Sequence, residues 1–269
     1  MVGFNDKVEV PLEDQDIIHS RFEIGNVFRC SRILREWLNN PTMPSNYAVT
    51  LLHATLFDKV ERYSKKGLLP NKPGDYRVED IKVSGEPENF YARGLDVKFL
   101  MREYAEQLDK VIQTLPTNPD LHTEDVINQA AWTYYTFIRI HPFLDGNGRV
   151  SRFVLQRVLK GAGFKDIVFT QEVSHGKKRF LENRNRHLDT MNQVDKTGNL
   201  AYLEIYLASL LLSRYHESDP IYKELQELIT KKRGEIQSQK QKQTLVNIWP
   251  RFKDIDIHGG FDESSRDVA

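Results

Sequence analysis

The sequence predicts a mostly α-helical protein with one short β-hairpin. Apolar residues recur at three- and four-residue spacing along most of the chain, the signature of helices with one buried face. A single segment alternates β-favouring and polar residues instead, and clusters of Pro, Gly and Asn separate the periodic stretches.

Taken in order, residues 20–39 and 46–66 read as helices, the second through Val49, Leu52, Ala54, Leu56, Val60 and Tyr63. Asn71–Gly74 is a breaker-rich link. Tyr76–Gly85 alternates, and Ser84-Gly85-Glu86-Pro87 turns the chain before Phe90 and Tyr91, so residues 76–91 read as the hairpin. Helices are expected at 97–115 and 126–140, with a turn at Pro116–Pro119 between them. The second carries Ile127, Ala130, Ala131, Tyr134 and Ile138 on one face. Val150, Phe153, Val154 and Val158 mark the next helix, which should stop at Gly161-Ala162-Gly163. Residues 179–194, 200–216 and 221 to about 242 complete the series. The middle one of these is apolar enough to lie in the core. Lys231–Gln243 is a charged, Gln-rich tract expected in solvent, and 254–269 has the composition of a poorly ordered tail.

Composition narrows the function classes. A chain of 269 residues can bury a sizeable core. Lys plus Arg equals Asp plus Glu at 38 each, so global charge gives no reason to expect nucleic acid or a membrane as partner. No apolar run approaches membrane-spanning length. The first residues lack the features of a secretory signal, and a cytoplasmic protein is the expectation. The single Cys30 excludes an internal disulfide and a cysteine-based metal site, and reads as a small buried residue.

The chemistry concentrates in His141-Pro-Phe-Leu-Asp-Gly-Asn-Gly-Arg-Val-Ser-Arg152. Pro142 cannot continue a regular helix, so the chain leaves its helix at or just after His141. Phe143–Gly148 is then a tight loop, with the Phe143 ring buried to pin it. Gly146 and Gly148 permit backbone conformations closed to other residues. The loop opens into a helix N-terminus, whose backbone N–H groups form an anion site. Arg149 and Arg152 are three apart, so both can reach phosphates there. Asp145 beside an anion site makes sense where a divalent cation bridges it to the phosphates. His141 is the neutral-pH base poised over this cradle. A histidine at a helix end is ordinarily a cap and paired arginines a solvated face, but neither explains the whole block. The residues point to nucleotidyl or phosphoryl transfer.

The same block is similar to the full signature of the Fic family, His-x-Phe-x-(Asp/Glu)-Gly-Asn-Gly-Arg-x-x-Arg, matching every fixed position. The resemblance implies a Fic-type helical bundle, with residues 60–215 as the family domain. Residues 1–59 would be an N-terminal helical extension and 216–269 a C-terminal helix with a polar tail. It implies transfer of AMP from ATP to a Ser, Thr or Tyr hydroxyl of a target protein, with Mg²⁺. His141 would be the general base, Asp145 the Mg²⁺ ligand and Gly146–Gly148 the anion hole. Asn147 and Arg149 would hold the α- and β-phosphates and Arg152 the γ-phosphate. The 76–91 hairpin resembles the Fic flap, which pairs with the target's backbone. The loop differs from that of the Doc kinases, which have lysine in place of the second glycine, and this favours adenylyl over phosphoryl transfer. AMP removal, transfer of another phosphate-containing group on the same site, and ATP sensing without turnover in a toxin–antitoxin-type pair are the alternatives.

Many family members carry an inhibitory glutamate in a (Ser/Thr)-x-x-x-Glu-(Gly/Asn) helix that pairs with the second motif arginine, here Arg152. Ser84–Asn89 matches formally through Glu88, but Gly85 and Pro87 argue against a helix there. Ser31–Glu36 is one residue too long. Ser213–Ser218 departs at its last residue, which leaves Glu217 as the candidate brake. An inhibitory partner or self-association would serve if the chain lacks one.

Overall fold

The computed structural model describes residues 8–10, 21–60, 72–83, 91–115, 122–167 and 177–242. Those residues form eight helices and two three-residue strands. The helices are α1 (Arg21–Asn39), α2 (Ser45–Leu56), α3 (Gly94–Thr114), α4 (Thr123–Ile140), α5 (Asn147–Gly161), α6 (Lys177–Thr197), α7 (Ala201–Leu212) and α8 (Pro220–Lys242). Among the described residues no helix is long and apolar enough to cross a membrane.

The chain divides into two compact units. Among the described residues the first holds 8–10, 21–60, 72–83, 91–110 and 136–154, and the second 111–115, 122–135, 155–167 and 177–242.

In the first unit α1 packs against α2. Cys30, Leu34 and Trp37 on α1 and Val49, Leu52 and Leu56 on α2 are buried, as their helical spacing requires. The Cys30 thiol lies 3.4 Å from the Leu52 carbonyl, and burial pushes its pKa up to about 12, so it is an inert core residue. Both ends of α2 are tied by distant side chains. Asp109 Oδ1 accepts from the Ser45 N–H at 2.9 Å and from its hydroxyl at 2.5 Å, placing a carboxylate at the helix's positive end. Asn26 Nδ2 donates to the carbonyls of Leu56 and Asp58 at 3.1 and 2.8 Å. The helix therefore ends at Leu56, ten residues before the sequence expectation, and Lys59 turns the chain with φ +59°. Tyr63 and the rest of the expected extension lie outside the described residues.

The first arm of the expected hairpin is shorter than its alternation suggests. Among the described residues, strand β2 (Ile81–Val83) pairs in parallel with β1 (Val8–Val10), register Val8 to Ile81, and 76–80 is not strand. Alternation misled because a charge takes the inside position: Arg77 is 1% exposed whereas Val78 is 62% exposed. The turn at 84–87 and Phe90 lie outside the described residues.

The second unit is built on α7, which contacts both α6 and α8. Leu203, Leu207, Ala208 and Leu211 are buried, as its all-round apolar sequence requires. The Lys231–Gln243 tract does not lie wholly in solvent. Lys232 Nζ reaches Glu204 at 2.8 Å and Glu124 at 3.0 Å, which links α8 to α7 and α4. α5 ends in a Schellman motif: Phe164 N–H donates to the Leu159 carbonyl at 2.9 Å and Gly163 N–H to Lys160 at 3.0 Å, with Gly163 at φ +83°.

Candidate active site

The site lies in the first unit, where α4 ends, the loop 141–146 turns and α5 begins. His141 continues the last turn of α4, its N–H donating to the Phe137 carbonyl at 3.0 Å. It then takes φ +50°, a left-handed conformation that costs a non-glycine residue roughly 1–2 kcal/mol. Neighbours hold it there. Arg77 donates to the His141 carbonyl through Nε at 2.6 Å and to the Ile140 carbonyl through Nη2 at 3.1 Å. The Arg77 main-chain N–H donates to the Pro142 carbonyl at 2.9 Å, and Ala92 N–H takes the Arg139 carbonyl at 3.1 Å. Every carbonyl from Phe137 to Pro142 thus has a named donor, because His141 Nδ1 lies 3.2 Å from the Ile138 carbonyl.

That last contact fixes the tautomer. A carbonyl only accepts, so the proton sits on Nδ1 and Nε2 keeps its lone pair. His141 is 2% exposed, and Nε2 is buried with no hydrogen-bond partner among the described residues. Burial, then the charges of Arg77 and Arg139, lowers the His141 pKa to about 3. The ring is neutral throughout the physiological range. Tyr91 meets it edge-on at 4.4 Å between centroids. Arg77 is itself pushed down to about 10 by burial, against the pull of Asp80 and Glu79, and remains a cation at neutral pH.

Beneath the loop lies a second histidine that sequence reasoning missed. His53 of α2 stacks on Phe143 at 3.8 Å and 8° between planes. Gly74 N–H donates to its Nδ1 at 2.7 Å, so Nε2 carries the proton and donates to the Asp145 carbonyl at 3.1 Å. Burial, the largest cause, brings its pKa to about 3. The available signal was a polar residue within the apolar stripe of α2. Arg77 had no such signal, since its partners are main-chain carbonyls, which side-chain order does not mark. Phe143 is fully buried, as expected.

Asp145 is 2% exposed, and its Oδ1 accepts from the Gly146 N–H at 2.6 Å. Gly146 has φ +79°, and a Cβ there would stand 2.5 Å from the Phe57 ring, so only glycine fits. Asn147 opens α5 and folds its amide back onto Phe143, accepting from its N–H at 3.0 Å and donating to its carbonyl at 2.7 Å. In this state the Asn147 side chain shapes the loop. Gly148 follows in the first turn, its carbonyl accepting from Ser151 Oγ at 2.9 Å. Arg149 is 6% exposed, stands over the Phe57 ring at 4.8 Å, and has Nη2 3.7 Å from Asp145 Oδ1. Arg152 is half-buried one turn on. The first turn of α5 holds no acidic residue.

This arrangement suits an anion. A buried cation in the first turn of a helix opposes the helix dipole, and a bound anion relieves both costs. Among the described residues no three His, Cys, Asp or Glu side chains cluster, and Asp145 is the carboxylate of this loop that a divalent cation could share with an anion. Glu217, the candidate brake, is exposed in the turn between α7 and α8 rather than on a helix.

In this helical fold a buried histidine, a loop shaped by glycine and a helix N-terminus follow one another between α4 and α5. Residues 45–159 match the model of the Fic/DOC family. The chain is similar to proteins named protein adenylyltransferase Fic from Drosophila erecta and Drosophila persimilis, 25% identical over 154 residues and 26% over 154. Each match covers 54% of this chain but only 29% and 28% of the relative, so the likeness spans under a third of those proteins. The fold is similar to that of a Fic-domain-containing signaling protein from Bacteroides thetaiotaomicron, TM-score 0.53 and 20% identity, covering 79% of this chain and 72% of that one.

Proposed function

We propose that the protein is an AMP transferase that moves AMP from ATP to a hydroxyl of a target protein. The observation that carries the reading is the buried, neutral His141, with Nδ1–H directed to a carbonyl and Nε2 left as an acceptor. In the reaction the target hydroxyl oxygen attacks the α-phosphorus of ATP. His141 Nε2 takes the hydroxyl proton, a new P–O bond forms, and the bond from the α-phosphorus to the bridging oxygen breaks to release pyrophosphate.

The main-chain N–H groups of Gly146–Gly148, with Arg149 and Arg152, hold the phosphates, and Asn147 shapes the loop that presents them. Asp145 is the residue that would hold Mg²⁺, which when bound offsets phosphate charge. The edge of β2 away from β1 is where a target segment adds by strand pairing. The adenylyltransferase names of the relatives and the glycine at position 148 support AMP over phosphoryl transfer.

Mass spectrometry of protein incubated with Mg²⁺, ATP and host lysate tests the reading. One adenylyl group should appear on protein with the wild type and be missing with His141→Ala. Equal modification by both would sink it.

A further inference from the structure

We infer that Arg77, outside the signature, is the positioning residue that sets the imidazole of His141 for proton transfer. The inference rests on the reading of His141 as the base. Arg77 is 1% exposed, and its hydrogen bonds run to main-chain carbonyls. Two of those carbonyls, Ile140 and His141, belong to the end of α4. The other two, Glu79 at 2.6 Å and Ala92 at 2.5 Å, are the stems of the excursion that carries β2. One planar fork therefore ties the backbone of the base to both stems of the segment proposed to take the target.

A left-handed histidine needs such a tie. At φ +50° the unconstrained residue would relax to the ordinary helical region, and Nδ1 would leave the Ile138 carbonyl. The proton could then move to Nε2, and the ring would no longer present an acceptor. Asp80 supports the same stem, its carboxylate accepting from the Gly94 N–H at 2.7 Å. A Cβ on Gly94 would stand 2.2 Å from the Val78 carbonyl, so the two stems touch where Arg77 bridges them. Lysine keeps the charge but is a point donor that cannot serve diverging carbonyls.

The test uses the full chain with ¹⁵N-labelled histidine, His141 being assigned among the eight histidines by difference with His141→Ala. In the wild type the His141 nitrogens should report a single Nδ1–H tautomer, and Arg77→Lys should turn this into a mixture. The rate of α-phosphate label transfer from ATP should fall roughly 10- to 100-fold at unchanged KM for ATP, the scale expected of a misplaced catalytic group. Adding Arg77→Lys to His141→Ala should cause no further loss. Arg77→Gln, which retains amide donors, serves if Arg77→Lys does not fold, and unfolding of both would make Arg77 a purely structural residue and overturn the inference. An unchanged His141 tautomer in a folded variant overturns it whatever the rate does. Full label transfer by His141→Ala overturns the transferase reading instead, and with it the role of the base that Arg77 would position.

Discussion

Of the helix ends that stop at a left-handed residue, those of α5 and α4 do so in opposite ways. At the end of α5 the residue is Gly163, φ +83°, and neighbouring main-chain N–H groups close the helix. Nothing stands within 4 Å of where a Cβ would be. At the end of α4 the residue is His141, φ +50°, and the carbonyls are taken by a buried guanidinium, an imidazole and a distant main-chain N–H. The first is the low-cost solution to ending a helix. The second accepts backbone strain and buries a cation, which makes sense where the side chain at that position is itself needed. The difference marks the end of α4 as the place the proposed chemistry would occupy.

The largest effect that would break this contrast is on activity. His141→Ala should lower adenylyl transfer by roughly 10²- to 10⁴-fold, the usual contribution of a general base. Gly163→Ala, at the other helix end, should leave the rate unchanged. A rate assay on both variants decides it, and equal losses would remove the distinction.

Gly146 sharpens it from inside the loop. Gly146→Ala meets Phe57 at 2.5 Å with φ +79°, so denaturant unfolding should show a loss of about 2–4 kcal/mol from overpacking and strain together. A loss no larger than that of Gly163→Ala would mean that Phe57 moves aside freely.

Acid is the next probe. His53 and His141 are both held near 3 in the fold against about 6.5 unfolded, so below pH 6.5 the unfolded chain binds protons that the fold refuses. Their stabilising contribution is complete above pH 6.5 and is lost as pH falls toward 3, at about 1 kcal/mol per pH unit for each. Urea midpoints at pH 7, 6 and 5 should fall accordingly. Replacing His53 with glutamine should flatten the fall, and an unchanged slope would show that His53 is not buried neutral. The acid limb of kcat/KM in the free enzyme should likewise lie well below 6.5.

The smallest effect isolates strain. His141→Gly should be more stable than His141→Ala by about 1 kcal/mol, since only alanine resists φ +50°. Gly163→Ala should cost the same amount relative to wild type, and thermal unfolding of the three variants gives the comparison.

What the sequence disclosed follows from the range of the forces involved. The run of helices, the stop at Gly161–Gly163 and the buried Phe143 rest on local periodicity, proline and glycine, so they were legible. The motif loop was legible because its residue types are contiguous. Arg77 and His53 were not, because each is defined by hydrogen bonds to main-chain groups, some of them 60 or more positions away, and such bonds leave no pattern in side-chain order. The early end of α2 was hidden for the same reason, since Asn26 on α1 terminates it. The strand expected over 76–80 did not form where a buried arginine took the place that alternation assigns to an apolar side chain.

The account stands most directly on where the label goes. With Mg²⁺ and host lysate, ATP labelled on the α-phosphate should mark protein with the wild type and not with His141→Ala, while ATP labelled on the γ-phosphate should mark nothing beyond the lysate's own background. Transfer of the γ-label dependent on His141 would contradict the account and make this site a kinase.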